Sequence, residues 1–206
     1  GTIAYFPEGT PYGPQTSSED SLTVVLQFGG ASGNGYLSDA ERDRGVAELA
    51  RQGTFEGGIF RRDPGVPGKP NVDGFQAVWE HMRGREMTYP APRYGKPVFI
   101  EPEAFAWMSS DTEPGVWERP LGIFTERHFR LSFVRLEAGA THRLAGDSIY
   151  FNLSGQGRCD QGDWSKYDTL YAGQGEAAII TAGSEAEFIV LGLPALEGVE
   201  QRRLAA

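Results

Sequence analysis

The sequence predicts a mainly β protein in which an antiparallel β-barrel is preceded by two helices. The chain contains 28 glycines and 13 prolines among 206 residues, a composition typical of many short strands joined by tight turns. Polar and apolar side chains alternate from Phe129 to Leu136, which predicts a strand with one buried and one solvated face. One strand-and-turn pattern occurs at residues 1–12 and again at residues 175–186, which predicts two related β units.

The composition limits the classes of function. Apolar residues make up 39% of the chain and aromatic residues 12%, as in ordinary globular proteins. The formal net charge of -9 argues against a nucleic-acid partner. No apolar run approaches the roughly 20 residues that cross a bilayer, so no membrane partner is expected. Cys159 is the only cysteine, which excludes an internal disulfide and favours a reducing, cytoplasmic location.

The opening segment reads as the end of a β unit. No initiator Met precedes Gly1, and Pro7-Glu8-Gly9 predicts a tight turn because proline presets φ and glycine accepts a positive φ. The apolar run Ser21–Phe28 predicts a further strand. We therefore expect residues 1–35 to be the C-terminal strands of a first barrel that is truncated at its N-terminus.

Residues 36–96 are predicted to be a helical, Pro/Gly-rich connection. The first helix begins after Ser38, whose hydroxyl can cap the free backbone N–H groups, and Glu41 three residues later completes a capping box. Gly53 is a natural terminator for this helix. The apolar stripe of the first helix consists of Val46, Leu49 and Ala50.

A second helix is predicted from Asp73 to Arg83. Its apolar residues follow the i, i+3, i+4, i+7 spacing of one buried helix face, and they are Phe75, Val78, Trp79 and Met82. His81 lies off that stripe and is expected to face solvent. Residues 61–72 contain three prolines and two glycines and are predicted to be a loop. We expect the two helices to connect two barrels without forming a core of their own.

From residue 97 to residue 194 the sequence predicts a second β unit, followed by a tail at residues 195–206. Short strands separated by glycine-rich turns indicate a sandwich or a barrel. The predicted strands are Val98–Ile100, Gly115–Phe124, Phe129–Leu136, Asp147–Leu153, Thr169–Ala172, Gly175–Thr181 and Glu187–Leu193.

Residues Gly139–Gly157, followed by Gly175–Ala186, resemble the two motifs of the cupin family. The first cupin motif has a Gly, a His-x-His pair, a Glu and a Gly-x-Gly turn, and the second has a Gly, a Pro-x-Gly turn and a further His. The resemblance implies an RmlC-like antiparallel jelly-roll β-barrel in which those four side chains bind one divalent metal. The opening segment also matches the second motif, with Tyr12 at the position of the His. The chain therefore looks like an N-terminally truncated bicupin with a two-helix inter-barrel connection.

The departures from these motifs predict that the second barrel holds no metal. His142 occupies the first ligand position, but Leu144 replaces the second His. Ser148 stands at the Glu position, and Ala186 replaces the remaining His. One imidazole does not supply the three or four donors that a tight divalent site needs. We expect His142 to be hydrogen-bonded locally, with no cofactor in this chain and a divalent metal only in a first barrel preceding it.

Several polar side chains remain candidates for a pocket without metal. They are Tyr12, Arg130, Arg135, His142, Tyr150 and Asn152. Such residues suit a small polar or anionic molecule held by hydrogen bonds and a cation. The alternative is an interior filled with side chains that only supports a partner, since small barrels are often packed throughout. Tyr12 is interpreted as an aromatic lid, which is commoner than tyrosine ligation of iron.

Three functions stay open at this point. The first is a degenerate bicupin whose C-terminal half is a small-molecule-binding or scaffold module. The second is a metal-dependent bicupin enzyme, of the dioxygenase or isomerase type, with its active site in the preceding barrel. The third is an obligate homodimer that pairs exposed β edges. Cupins include enzymes and binding proteins, so the resemblance alone does not decide between them.

Overall fold

The computed structural model describes residues 1–7, 9–10, 19–27, 35–89, 91–123, 128–176 and 178–193. The chain divides into two compact units, one formed by Gly1–Pro7 with Arg93–Ala206 and the other by Glu8–Pro92. None of the described helices is long and apolar enough to cross a membrane.

The helices and strands follow one another in this order. They are β1 (Ile3–Tyr5), α1 (Asp39–Leu49), β2 (Gly53–Glu56), β3 (Ile59–Arg62), β4 (Asn71–Asp73), α2 (Gly74–Arg83), β5 (Val98–Ile100), β6 (Met108–Ser109), β7 (Val116–Ile123), β8 (Arg130–Leu136), β9 (Thr141–Arg143), β10 (Ser148–Ser154), β11 (Gly157–Cys159), β12 (Gly162–Trp164), β13 (Thr169–Ala172), β14 (Ile179–Ala182) and β15 (Ala186–Gly192). A short 3-10 helix covers Pro102–Ala104 between β5 and β6.

Strands β8 to β15 form a jelly roll. One sheet has the order β13-β10-β15-β8-β7-β6, and the other has the order β12-β11-β14-β9. All their pairings are antiparallel, and the chain crosses between the sheets so that neighbours in sequence are seldom neighbours in a sheet. This double-sheet arrangement is the jelly-roll topology. The predicted jelly roll is confirmed as a pair of sheets. The described strands do not close into a single barrel.

The core of this unit lies between the two sheets. Alternate residues of β8, β10 and β15 point inward, which follows from the period of two along a strand. The largest fully buried side chains of this core include Tyr150, Phe188 and Leu136. Phe188 packs edge-on against the rings of Tyr150 and Trp164, with centroids 6.2 and 5.1 Å away. Aromatic and aliphatic side chains from both sheets therefore hold the sheets together.

Most of the predicted strands of this unit are present, and their ends shift by one or two residues. The exception is the strand predicted at Gly175–Thr181, which begins only at Ile179 because a turn occupies the residues before it. The sequence analysis missed the shortest strands, β6, β9, β11 and β12. Each of these has two or three residues, too few to show an alternating pattern.

The opening strand β1 pairs with β5 inside the same unit as the jelly roll. Ile3 lies opposite Ile100, and Tyr5 lies opposite Val98. The predicted first barrel, and the assignment of residues 1–35 to it, stay predictions. The strand predicted at Ser21–Phe28 is wrong over residues 21–27, which form no strand; Phe28 lies outside the described residues. Leu22 and Val25 are 65% and 72% exposed, because no described strand offers this apolar run a partner.

Helix α1 has the predicted N-terminus. The Ser38 hydroxyl accepts a hydrogen bond from the Glu41 backbone N–H, and the Glu41 carboxylate accepts one from the Ser38 backbone N–H. That N–H, together with the Arg83 guanidinium, lowers the pKa of Glu41 to about 2. The predicted apolar stripe is only partly correct. Leu49 is buried, but Val46 and Ala50 are exposed.

Helix α2 packs against α1 at a glycine. A side chain at Gly45 would lie 2.8 Å from a Val78 methyl group and 2.9 Å from Met82, so only glycine allows this approach. Leu49 and Val78 belong to a core cluster that also contains Phe60 and Ala77. The expectation that this connection has no core is therefore wrong. The reason is the three-stranded sheet β2-β3-β4, which supplies Phe60. No strand was predicted there, and residues 61–72 were predicted to be a loop.

Helix α2 begins within one residue of its predicted start, and one member of its predicted apolar stripe is corrected. The Asp73 side chain accepts a hydrogen bond from the Gln76 backbone N–H at the start of α2. Val78 and Trp79 are buried as expected, whereas Phe75 is 40% exposed. Phe75 lies in the first turn, where the helix extends beyond the core it packs on. His81 is exposed as predicted, and its Nε2 lies 2.6 Å from a carboxylate oxygen of Glu48.

Candidate functional site

His142 lies at the centre of β9 and points between the two sheets. Its neighbours Thr141 and Arg143 are exposed, whereas His142 is 5% exposed, as the alternation of a strand requires. In the sheet register it stands opposite Ile180 of β14. The first predicted ligand position is therefore an interior position.

A chain of hydrogen bonds engages both ring nitrogens of His142. Nδ1 lies 2.6 Å from Oε2 of Glu113, and Nε2 lies 3.3 Å from the Tyr150 hydroxyl. The second oxygen of Glu113 accepts the Arg143 backbone N–H at 2.9 Å, and the Tyr150 oxygen accepts the Ala145 backbone N–H at 3.0 Å. A carboxylate only accepts, so we assign the ring proton to Nδ1. Nε2 then accepts from the Tyr150 O–H.

Burial keeps the Tyr150 hydroxyl protonated. Burial raises the pKa of Tyr150 above its ordinary value, because the phenolate would lie in a low-dielectric interior. The nearby carboxylates of Glu118 and Glu113 act in the same direction. Tyr150 is 2% exposed. The phenol, imidazole and carboxylate therefore satisfy one another inside the protein and leave little surface for a substrate.

Replacing Tyr150 by phenylalanine is expected to lower the free energy of unfolding by about 1–3 kcal/mol, because Nε2 of His142 and the Ala145 N–H lose their buried partner. Urea unfolding of the jelly-roll unit, followed by near-ultraviolet circular dichroism, measures the change. Tyr171→Phe is the matched control, because Tyr171 is 58% exposed and its hydroxyl makes no hydrogen bond with the described residues. An equal loss of unfolding free energy in Tyr150→Phe and Tyr171→Phe would show that the network contributes nothing to stability.

The other predicted ligand positions supply almost no donor atoms. Leu144 and Ser148 are buried, at 4% and 1% exposure, so both positions face the interior as the resemblance implies. The placement of the fourth position at Ala186 is wrong. Ala186 pairs with Leu136, away from His142, whereas the Leu144 N–H donates to the Ala178 carbonyl. The register therefore puts Ala178 beside Leu144.

These residues do not fit a divalent metal. The described part of the chain contains no group of three His, Cys, Asp or Glu side chains that could hold one. Leucine and alanine carbons stand where two ligands are needed, and both nitrogens of His142 already have partners. The chemistry open to this interior is hydrogen bonding and apolar contact.

The remaining predicted site residues do not join His142 in one pocket. Asn152 is fully buried and holds a turn, since its amide donates to the Gly155 carbonyl and its oxygen accepts the Ser154 N–H. Arg130 is exposed at the start of β8. Arg135 faces the outer side of its sheet, with its guanidinium 3.1 Å from Glu187. Tyr12 lies outside the described residues.

A cavity of about 380 Å³ opens between β13 of one sheet and β11 and β14 of the other. We call it the inter-sheet cavity. Its apolar floor consists of Leu144, Leu170, Ala178 and Ile180. Its polar rim consists of Asp160, Gln161, Tyr171 and Glu176. The floor contains both Leu144 and Ala178, so the cavity reaches the positions at which the resemblance implies metal ligands.

A second cavity, of about 580 Å³, lies along β11, β12 and β14. It is lined mainly by exposed side chains, among them Arg158 and Asp163. These two residues stand opposite each other in the strand register, and we call this cavity the outer groove. It is larger than the inter-sheet cavity, but the inter-sheet cavity is the more enclosed of the two and reaches Leu144 and Ala178. We therefore regard the inter-sheet cavity as the candidate ligand site.

Sequence reasoning missed two residues, Glu113 of the His142 network and Ala178 of the inter-sheet cavity. Glu113 is 29 residues from His142 and lies in a Pro/Gly-containing loop, so no local pattern links them. Ala178 was missed because alanine carries no chemical signal. The turn Gly173-Gln174-Gly175, which precedes β14, is an alternative to Thr181-Ala182-Gly183 as the turn of the second motif. Taking this alternative turn places Ala178 at the position of the motif's His.

Solved structures similar to this chain include several cupins. An RmlC-like cupin from Shewanella frigidimarina is 14% identical, with a TM-score of 0.39, over 48% of this chain and 91% of its own. Ectoine synthase from P. lautus is 13% identical, with a TM-score of 0.39, over 46% and 76%. A predicted oxalate decarboxylase from Thermotoga maritima is 15% identical, with a TM-score of 0.37, over 46% and 97%.

No protein-family model and no curated protein sequence matches the chain. Similarities at these identities and TM-scores concern the fold alone and carry no argument about activity. The cupin-type jelly roll predicted from the two motifs is confirmed on the strand order of this chain. The bicupin organisation and the truncation stay predictions.

Proposed function

We propose that the jelly-roll unit is a cupin-type module that binds a small molecule in the inter-sheet cavity without a metal. One observation carries the proposal: the cavity ends on Leu144 and Ala178, at positions where a metal-binding cupin would present ligands. Apolar side chains there offer contact area to a ligand in place of a coordination bond. Small-molecule sites usually combine apolar side chains with a small number of placed polar groups in a concave surface.

The cavity also favours binding over a purely supporting role. A supporting unit has no need of interior space, and small jelly-roll interiors can be filled completely by side chains. Here about 380 Å³ is open next to a buried floor that includes Ile180, which is 0% exposed. Leu170 and Ala178 are only partly buried, so they remain available to a ligand.

A neutral aromatic probe tests this function. We expect 4-fluorobenzyl alcohol, observed by fluorine NMR, to bind the full chain with millimolar or better affinity, and chelation with EDTA should leave the affinity unchanged. Ala178→Phe should fill the cavity and abolish binding. Arg158→Phe is the matched control, because it places the same ring in the outer groove. Binding that survives Ala178→Phe, in a variant that melts like the wild type, would contradict the proposal.

A further inference from the structure

The ionisable groups around the inter-sheet cavity have one sign of charge. Its lining includes the carboxylates of Asp160 and Glu176, and among the described residues that line it there is no lysine, arginine or histidine. Arg130, on which the expectation of an anionic ligand depended, does not line it. The whole chain carries a formal charge of -9, which adds to the negative potential at the entrance. An anion would therefore meet repulsion without a compensating cation.

The two carboxylates are placed to accept hydrogen bonds from a ligand. Oε2 of Glu176 accepts the Gly173 backbone N–H at 2.7 Å, which fixes the carboxylate beside the end of β13. Its other oxygen has no hydrogen-bond partner among the described residues. Asp160 is exposed in the turn between β11 and β12 and makes no hydrogen bond or ion pair with the described residues. Both groups border the same cavity, Asp160 from the turn between β11 and β12 and Glu176 from the segment between β13 and β14.

An aromatic ring completes the rim. The Tyr171 hydroxyl and the Glu176 carboxylate lie on the same side of Gly173: a side chain at that glycine would be 3.6 Å from the hydroxyl and 3.2 Å from the carboxylate. Tyr171 is 58% exposed, so its ring is accessible from the entrance. An ammonium group is attracted both by carboxylates and by the face of an aromatic ring.

We infer that the ligand of the inter-sheet cavity is a compact amine with an apolar body. Its ammonium group binds at the rim, between Asp160, Glu176 and Tyr171, and its hydrocarbon part packs on Leu144 and Ala178. The volume of about 380 Å³ lies near the lower end for small-molecule sites, which limits the ligand to about one ring or a short chain. This inference rests on the proposed binding function of the same cavity.

Three probes of nearly equal size but different charge separate the effect of charge on the affinity from the effect of shape. 4-Fluorobenzylamine, 4-fluorobenzyl alcohol and 4-fluorobenzoate are titrated against the full chain at pH 7 and followed by fluorine NMR. We expect the amine to bind about threefold to fivefold more tightly than the alcohol, the range that solvent-exposed ion pairs give, and the benzoate to bind most weakly. The preference for the amine should shrink as salt is added, because the rim is exposed to solvent.

Two isosteric variants test whether the carboxylates of the rim cause the preference for the amine. Glu176→Gln retains an oxygen that can accept the Gly173 N–H, and Asp160→Asn retains the shape of the turn, so both should fold. Each should reduce the affinity for the amine toward that for the alcohol and leave the alcohol unaffected. Asp163→Asn is the control, since Asp163 lies on the same hairpin but borders the outer groove.

The outcomes distinguish the two claims. If the alcohol binds the wild type but not the Ala178→Phe variant, and the amine binds no more tightly than the alcohol, the binding function stands and the inference is overturned. If no probe binds at the cavity, both are overturned. A preference for the amine that disappears in Glu176→Gln and Asp160→Asn, and persists in Asp163→Asn, supports the inference.

Discussion

Replacing Trp79 by alanine is expected to lower the free energy of unfolding of the helical unit by about 3–5 kcal/mol. Trp79 is 0% exposed, so the substitution removes a whole indole from a closed site and leaves a cavity. Its Nε1 donates to the Gly35 carbonyl at 3.0 Å, which fastens the segment before α1 to α2. The guanidinium of Arg85 lies 4.7 Å from the centre of its ring and loses that contact as well.

The matched control is Phe75→Ala on the same helix. Sequence spacing alone predicts the same 3–5 kcal/mol loss for Phe75, but the side chain is 40% exposed and the loss should stay below about 1 kcal/mol. Urea unfolding followed at 222 nm reports on this unit, because α1 and α2 both belong to it. Equal losses from the two variants would mean that α2 does not bury the face described above.

The elements that sequence predicts best are those whose signals are local. The capping residues Ser38 and Asp73 act within three positions of themselves, so the starts of α1 and α2 follow directly from the sequence. The alternation in Phe129–Leu136 is equally local, and β8 forms as predicted. The apolar run Ser21–Phe28 has the same local signal. Its described residues form no strand, since a strand also needs a partner, which local sequence does not specify.

The hairpin β2–β3 is the opposite case, because strands form there although none was predicted. Residues 61–72, which include the end of β3, were predicted to be a loop because they contain three prolines and two glycines. Gly57 and Gly58 both have positive φ and form the turn between β2 and β3, and the resulting sheet places Phe60 in the core. The sequence therefore suggested a linker where the chain forms a unit with its own core.

At the candidate site, the sequence predicts which residues face the interior better than it predicts which residues they contact. The motif spacing correctly indicates that His142, Leu144 and Ser148 face the interior, because spacing fixes which side of a strand each occupies. It does not indicate Glu113, whose loop meets β9 only through the fold. It also places Ala186 beside them, because two glycine-containing turns near β14 fit the second motif almost equally well. Strand register decides between those turns, and register is a property of the folded sheet.

The loss of the metal ligands and the presence of the cavity have a common structural cause. A histidine at position 178 and another at position 144 would extend into the space between β9, β14 and β13. With Ala178 and Leu144 there instead, that space is partly open and apolar. The same two positions therefore explain why the donor set is poor and why the cavity reaches this part of the interior.

Wild-type protein purified without added metal is expected to contain far less than one iron, zinc, manganese or nickel per chain by elemental analysis. The triple variant Leu144→His, Ser148→Glu, Ala178→His should gain a site and bind Co²⁺ at least about 100-fold more tightly than the wild type, as read from the visible absorption of bound cobalt. Glu113 already holds Nδ1 of His142, so Nε2 is the nitrogen that turns toward the metal, and Tyr150 gives up its hydrogen bond.

The decisive control moves one histidine. The variant Leu144→His, Ser148→Glu, Ala186→His carries the same number of donors, but residue 186 pairs with Leu136 and cannot reach the others. It should bind Co²⁺ no better than Leu144→His, Ser148→Glu alone. Circular dichroism must first show that both triple variants fold, because each buries new polar groups. Tighter binding by the Ala186 variant would mean that the register of β14 and β15 described above is wrong. About one metal per wild-type chain would mean that the interior holds a donor set the described residues do not provide.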